Sequence, residues 1–234
     1  MYINRKQGNK QGPMEIWLDT ADVELISLAK QMGILYGVTT NPSIIAKSKL
    51  ELEEILEKIL KVQNGPVTVQ VTAQSAPEMI RQGEAIFQFS NRIVVKIPVT
   101  AEGLKGICAL SERKIPTMAT AIFDLNQVLL AARAGASYLA PYFSTICEAD
   151  QDGLEHFKSM YRLLQHYQYN TKLIAASLKS SEQVRQCVDM GVHAVTINPE
   201  VFNALIENHP ETLKRLDRFN SDWKSAQKRK SLPL

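Results

Sequence analysis

Apolar positions in this chain fall into short continuous runs, each followed by a segment in which they recur with helical spacing. The first run is Glu15–Asp19, and Ala21–Met32 follows with Val23, Ile26, Leu28 and Ala29 on one face. Leu35–Thr39 leads to Leu50–Val62, where Leu52, Ile55, Leu56, Ile59 and Leu60 keep a period near 3.6. The same alternation continues as Pro66–Val71 then Ala76–Phe89, Arg92–Pro98 then Ala101–Ser111, and Pro116–Phe123 then Leu125–Ala134. It closes with Tyr138–Tyr142 then Asp152–His166, Lys172–Ser177 then Ser181–Met190, and Ala194–Ile197 then Pro199–Glu207. Gly33, Gly135 and Gly191 each stand between a helical segment and the next run, where a left-handed cap is wanted. One more helix, Glu211–Lys224, carries Leu213, Leu216, Phe219 and Trp223 along one side.

Runs that are apolar without alternation are strands covered on both faces, which is the condition of a parallel sheet. Eight strand–helix units in order, without a hairpin signal, predict an α/β protein: a (β/α)8 TIM barrel with an additional C-terminal helix. An open doubly wound sheet is the alternative. It usually carries a glycine-rich turn after its first strand, and Leu18-Asp19-Thr20-Ala21-Asp22 has no glycine. Residues 14–226 are expected to form a single barrel domain. Residues 1–13 read as a leader or tag, and 227–234 as a basic tail.

Composition narrows the functions. The net charge is +3, and much of the excess sits in Arg5, Lys6, Lys10, Lys228, Arg229 and Lys230. A basic surface for nucleic acid is not expected. Three cysteines without metal or disulfide spacing suit a reducing, cytoplasmic setting. No apolar stretch is long enough for a membrane span. The four histidines are scattered over helical or terminal segments, so no metal site is expected. Neither a Gly-x-Ser-x-Gly elbow nor a Walker loop occurs.

The candidate chemistry starts at Lys96, inside Ile93-Val94-Val95-Lys96-Ile97-Pro98-Val99. An ammonium in such a run loses hydration, which favours the neutral, nucleophilic amine. The plainer reading is a lysine whose head reaches water or a carboxylate. In a barrel, catalytic groups come from the C-terminal strand ends. Those ends supply Asp19, Thr39-Thr40-Asn41, Gln70 with Thr72, Thr120, Tyr142, Ser177 with Lys179, and Asn198. Each has a structural alternative: Asp19 and Ser177 as helix caps, Asn41 before Pro42 as a turn residue, Gln70 as a satisfied core amide, Thr120 as a β-former, and Tyr142 as a core ring with a wet hydroxyl. Together they give a lysine facing carboxylate, amide and hydroxyl groups. That set suits carbonyl chemistry through carbinolamine, imine and enamine.

With these residues the chain resembles the transaldolase family, in particular its short single-barrel branch that includes fructose-6-phosphate aldolase. The resemblance covers about Met14 to Lys224. It rests on Leu18-Asp19-Thr20-Ala21, Gly37-Val38-Thr39-Thr40-Asn41-Pro42-Ser43, Val94-Val95-Lys96-Ile97-Pro98-Val99-Thr100, Ala140-Pro141-Tyr142 and Ala175-Ala176-Ser177. It implies that Lys96 forms the Schiff base and Asp19 assists proton transfer. It also implies that Asn41 binds the substrate hydroxyl and imine region, that Gln70 and Thr120 hold a catalytic water, and that Thr39 shapes the pocket. Ser177 and Lys179 would lie at the phosphate end. Gln70 and Tyr142 match the aldolase branch, where transaldolases tend to have glutamate and phenylalanine. Thr145 departs from the arginine usual there, which weakens the case for a phosphorylated acceptor. The implied activity is class I cleavage of fructose 6-phosphate or a related ketose to dihydroxyacetone and an aldehyde such as glyceraldehyde 3-phosphate. Transaldolase transfer in the pentose phosphate pathway is the alternative, and a non-catalytic sugar-binding barrel a third. The resemblance further implies no cofactor, small sugar or sugar-phosphate partners, and a pentamer or decamer of identical chains.

Overall fold

The structure is a computed structural model that describes residues 12–149 and 151–226. The two basic tails fall outside the described residues, apart from Gly12, Pro13 and residues up to 226. Eight parallel strands close into a barrel in sequence order. They are β1 (Glu15–Asp19), β2 (Gly37–Thr39), β3 (Val67–Gln70), β4 (Ile93–Pro98), β5 (Thr117–Ile122), β6 (Tyr138–Pro141), β7 (Lys172–Ala175) and β8 (Ala194–Ile197). The first and last strands pair directly, with Glu15 beside Ala194 and Leu18 beside Ile197. The helices are α1 (Val23–Gln31), α2 (Pro42–Ala46), α3 (Leu52–Val62), α4 (Ala76–Phe89), α5 (Ala101–Glu112), α6 (Leu125–Arg133), α7 (Phe143–Ala149), α8 (Gly153–His166), α9 (Ser181–Met190), α10 (Pro199–Ile206) and α11 (Pro210–Ala226).

Closure explains the unalternating apolar runs. Leu18, Ile93, Val95, Ile97, Leu139, Leu173 and Val195 face outward into the layer shared with the helices. Trp17, Val94, Met118, Tyr138, Ala140, Ile174, Ala176 and Ala194 face inward and pack with one another. Successive residues therefore enter two different cores, and neither face is left to water. The interior is not wholly apolar, against the expectation from the strand runs. Buried Glu15 and half-buried Lys172 pair across its N-terminal end, 157 residues apart in sequence.

Local signals fix where the helices start. Asp22 caps α1 by accepting from the Glu24 and Leu25 amides. Thr100 caps α5, Asp124 forms a capping box with Gln127 at α6, and Ser180 caps α9. Each such contact is worth about 1 kcal/mol. Gly191 ends α9 at φ 71°, as expected of a left-handed cap. Gly103 answers a different need: a Cβ there would lie 1.9 Å from the Pro98 carbonyl oxygen. Only hydrogen lets the first turn of α5 seat on the end of β4, the strand that carries Lys96.

Two short helices, α2 and α7, were not foreseen; both occupy loops after strands. In β5 an extra residue lies between the pairs Ala119–Leu139 and Ile122–Pro141, with Ala121 at φ 56°. Helix α11 buries none of its residues, and Leu213, Leu216 and Phe219 are exposed on the single chain. It does not pack its apolar side on its own barrel. Among the described residues no helix is long and apolar enough to cross a membrane.

Candidate active site

The C-terminal mouth of the barrel holds a cavity of about 320 Å³ lined by Asp19, Thr39, Asn41, Lys96, Tyr142, Ser177, Lys179, Thr196 and Asn198, with Met118, Ala140, Ala176 and Leu178 as its apolar floor and wall. Seven of the predicted residues thus meet in one cavity although they come from five different strand ends: Lys96, Asp19, Asn41, Thr39, Tyr142, Ser177 and Lys179.

Lys96 is 5% exposed. Its place on β4 alternates with Val95 and Ile97, which face the helices, so its side chain enters the barrel beside Val94. Nζ donates to the Thr40 carbonyl oxygen at 3.2 Å. Among the described residues it forms no ion pair. Burial pulls its pKa below the usual lysine range, and the negative charge of Asp19 opposes that only in part. The amine is therefore closer to its nucleophilic form than a solvated lysine would be.

Asp19 does not cap α1, since Asp22 takes that role three residues later. Its Oδ1 accepts from Thr39 Oγ1 at 2.6 Å, and Thr39 Oγ1 also lies 2.6 Å from Thr196 Oγ1. With Thr39 donating to the carboxylate, Thr196 must donate to Thr39. This relay fixes the carboxylate on the cavity side of β1. Thr196 was missed from sequence because it sits within an apolar strand. Its signal was parity, since Ala194, Thr196 and Asn198 point the same way in β8.

The two asparagines each do double work. Asn41 Oδ1 accepts from the Ile44 amide and starts α2 ahead of Pro42; Asn198 Oδ1 accepts from the Val201 amide and starts α10. Asn41 is thus a helix cap rather than a simple turn residue, and it also lines the cavity. Because the carbonyl oxygen is occupied, the amide nitrogen of Asn41 is the end available to a ligand. Tyr142 continues β6 through a bridge to Ala176, and its ring meets Phe123 edge-on at 5.3 Å.

Gln70 and Thr120 are placed differently from the rest. Gln70 pairs in register with Lys96 but borders the adjacent groove formed with Pro42, Val71, Pro98 and Thr100. Thr120 is 1% exposed, and its hydroxyl has no hydrogen-bond partner among the described residues. A buried hydroxyl in that state is a group that a ligand or solvent would satisfy. Thr72 lies off the site and ties its backbone to Gln82 of α4. Ser177 adopts φ 60°, and its carbonyl accepts from Ser144 Oγ at 2.7 Å. Lys179 is exposed and pairs with Glu148 of α7 at 3.1 Å. Thr145, one turn earlier on α7, is exposed and outside the cavity lining. Among the described residues no group of three or more His, Cys, Asp or Glu is arranged to hold a metal ion.

Comparison with known proteins places the chain in a family. A probable transaldolase of Brevibacillus brevis is 40% identical over 215 residues, covering 92% of this chain and all of that protein. Probable transaldolases of a Thermoanaerobacter species and of Moorella thermoacetica are 37% and 38% identical over 213 residues, covering 91% of this chain and 98% and 99% of those proteins. The family described as transaldolase/fructose-6-phosphate aldolase matches residues 16–232, which span the barrel, the buried lysine and every strand end around it. The chain belongs to the transaldolase/fructose-6-phosphate aldolase family.

Proposed function

We propose that the chain is a Schiff-base aldolase needing no cofactor, which reversibly cleaves fructose 6-phosphate or a related ketose into dihydroxyacetone and an aldehyde. The observation that carries this reading is Lys96, buried, not ion-paired among the described residues, and shifted toward its neutral amine at the floor of a polar cavity. The amine adds to the ketose carbonyl, and loss of water gives the protonated imine. Asp19 takes the proton of the hydroxyl beyond the bond to be broken. That carbon–oxygen group becomes the aldehyde, the carbon–carbon pair moves into an enamine on Lys96, and the aldehyde leaves. Protonation of the enamine carbon and addition of water release dihydroxyacetone and restore the amine. Asn41 would hold a hydroxyl near the imine. Tyr142, with Gln70 and Thr120, would position the water and return the proton. Ser177 and Lys179 would meet the far end of the ketose.

Tyr142 supports release of free dihydroxyacetone, because a phenol can deliver a proton where a phenylalanine cannot. The name probable transaldolase on the relatives favours the second reading, in which the enamine waits for an acceptor aldehyde. Free dihydroxyacetone formed without added acceptor separates the two; strict dependence on acceptor would establish transfer. Incubation with dihydroxyacetone and borohydride tests the site itself. A reduced three-carbon adduct on Lys96 is expected, and its absence would leave only a non-catalytic sugar-binding barrel. The exposed apolar side of α11 supports assembly with further copies of the chain. The odd count of unbridged cysteines supports a cytoplasmic setting.

A further inference from the structure

The cavity is lined by two lysines, Lys96 at its floor and Lys179 at its rim. Lys96 is reserved for the carbonyl. Lys179 is the remaining positive charge that a phosphate at the far end of a substrate could meet there. It is already engaged: its Nζ lies 3.1 and 3.2 Å from the two carboxylate oxygens of Glu148. Glu148 projects from α7, one turn beyond Thr145, so the two share a helix face. Through Lys179 that helix brings a negative charge to the rim. Inside the cavity the other charged side chain is Asp19, also negative. An incoming phosphate dianion would gain Lys179 only by displacing a carboxylate that remains nearby and repels it. An aldehyde bearing only hydroxyl groups meets no such conflict. It can hydrogen-bond to Ser177, whose left-handed backbone is anchored through Ser144 and Gln183.

We propose that Glu148 sets acceptor specificity by neutralising Lys179, so that this enzyme works on an uncharged hydroxyaldehyde, and on the unphosphorylated ketose that contains it, in preference to phosphorylated ones. This rests on the aldolase reading above. Glu148 acts through Lys179 and touches no reacting atom. Both side chains are well exposed, so water and salt screen the pair and the effect is modest.

The test compares glyceraldehyde with glyceraldehyde 3-phosphate as acceptors for dihydroxyacetone. The wild-type chain should have the higher kcat/KM with glyceraldehyde. In Glu148→Gln the value for the phosphorylated acceptor should rise about fivefold at low salt, mainly through KM, and the gain should shrink at high ionic strength. Glyceraldehyde kinetics should stay within about twofold of wild type. Adding Lys179→Met to Glu148→Gln should erase the gain. Equal changes for both acceptors, a gain indifferent to salt, or wild-type preference for the phosphorylated acceptor would overturn the proposal. Two further measurements keep it separate from the aldolase reading. The borohydride adduct on Lys96 reports that reading alone. Calorimetry with inorganic phosphate reports the rim alone, and should give tighter binding to Glu148→Gln than to wild type; unchanged binding counts against Glu148 whether or not the adduct forms.

Discussion

The barrel holds a lysine at each end of its interior, and they live under opposite rules. At the N-terminal end Lys172 is directly paired with Glu15 and lies 5.7 and 5.8 Å from the ring centres of Tyr36 and Tyr138. Glu15 also accepts from Trp17 Nε1 at 3.0 Å. Lys172 keeps 44% of its side chain in solvent, so the carboxylate is compensated and the ammonium is still partly hydrated. At the C-terminal end Lys96 has, among the described residues, a carbonyl partner, little solvent, and an acid one of whose oxygens is already held by a threonine. The first arrangement stabilises a charge. The second withholds what a charge needs. The same residue type holds its charge at one end and is pushed toward the neutral amine at the other because of its neighbours, not its depth alone.

Replacing each lysine's surroundings should expose the contrast. Lys96→Met should abolish borohydride trapping and lower turnover by about four orders of magnitude or more. It should nevertheless raise stability by about 1 kcal/mol, read from denaturant melts, because a poorly hydrated charge is removed. The sign with pH follows from the lowered pKa. The burden on the fold is full below the folded-state pKa and is relieved as pH rises toward the unfolded-state value, so the gain from Lys96→Met should be greatest at low pH. A variant less stable than wild type at low pH would contradict the account of this end. Tyr142→Phe should cut acceptor-free release of dihydroxyacetone about 100-fold while leaving transfer to an added aldehyde largely intact, as a two-assay comparison would reveal. At the opposite end, Glu15→Gln should cost about 2 kcal/mol in unfolding and leave kcat unchanged in the folded fraction. A loss of kcat there would mean that the two ends are coupled. The smallest effect is expected from Asp19→Asn, read only on imine trapping. With the opposing charge gone, the Lys96 pKa should fall further, and the rise of trapping rate with pH should move acidward.

The barrel was legible because closure makes every strand a continuous apolar run and every following helix a periodic one. Asp19 and Tyr142 stood out because each ends such a run, and Lys96 because it interrupts one from within. The short helices α2 and α7 escaped because five and seven residues carry too little periodicity to register. Asn41 and Pro42 are a cap and first-turn pair, a signal that reads equally as a loop. The pairs Glu15–Lys172 and Glu148–Lys179 join residues on different elements, so only the closed barrel reveals them. Thr196 follows from parity once the inward face of β8 is known, and that face is set by pairing with β1 rather than by composition.

The left-handed Ala121 in β5 has a bearing on the barrel's interior. Met118 faces inward, and strict alternation would turn Thr120 and then Ile122 the same way. The extra residue reverses the sequence of faces, and Ile122 ends up fully covered among the helix-side apolar groups. One irregular backbone step thus keeps a branched hydrocarbon out of the barrel's interior at the strand end.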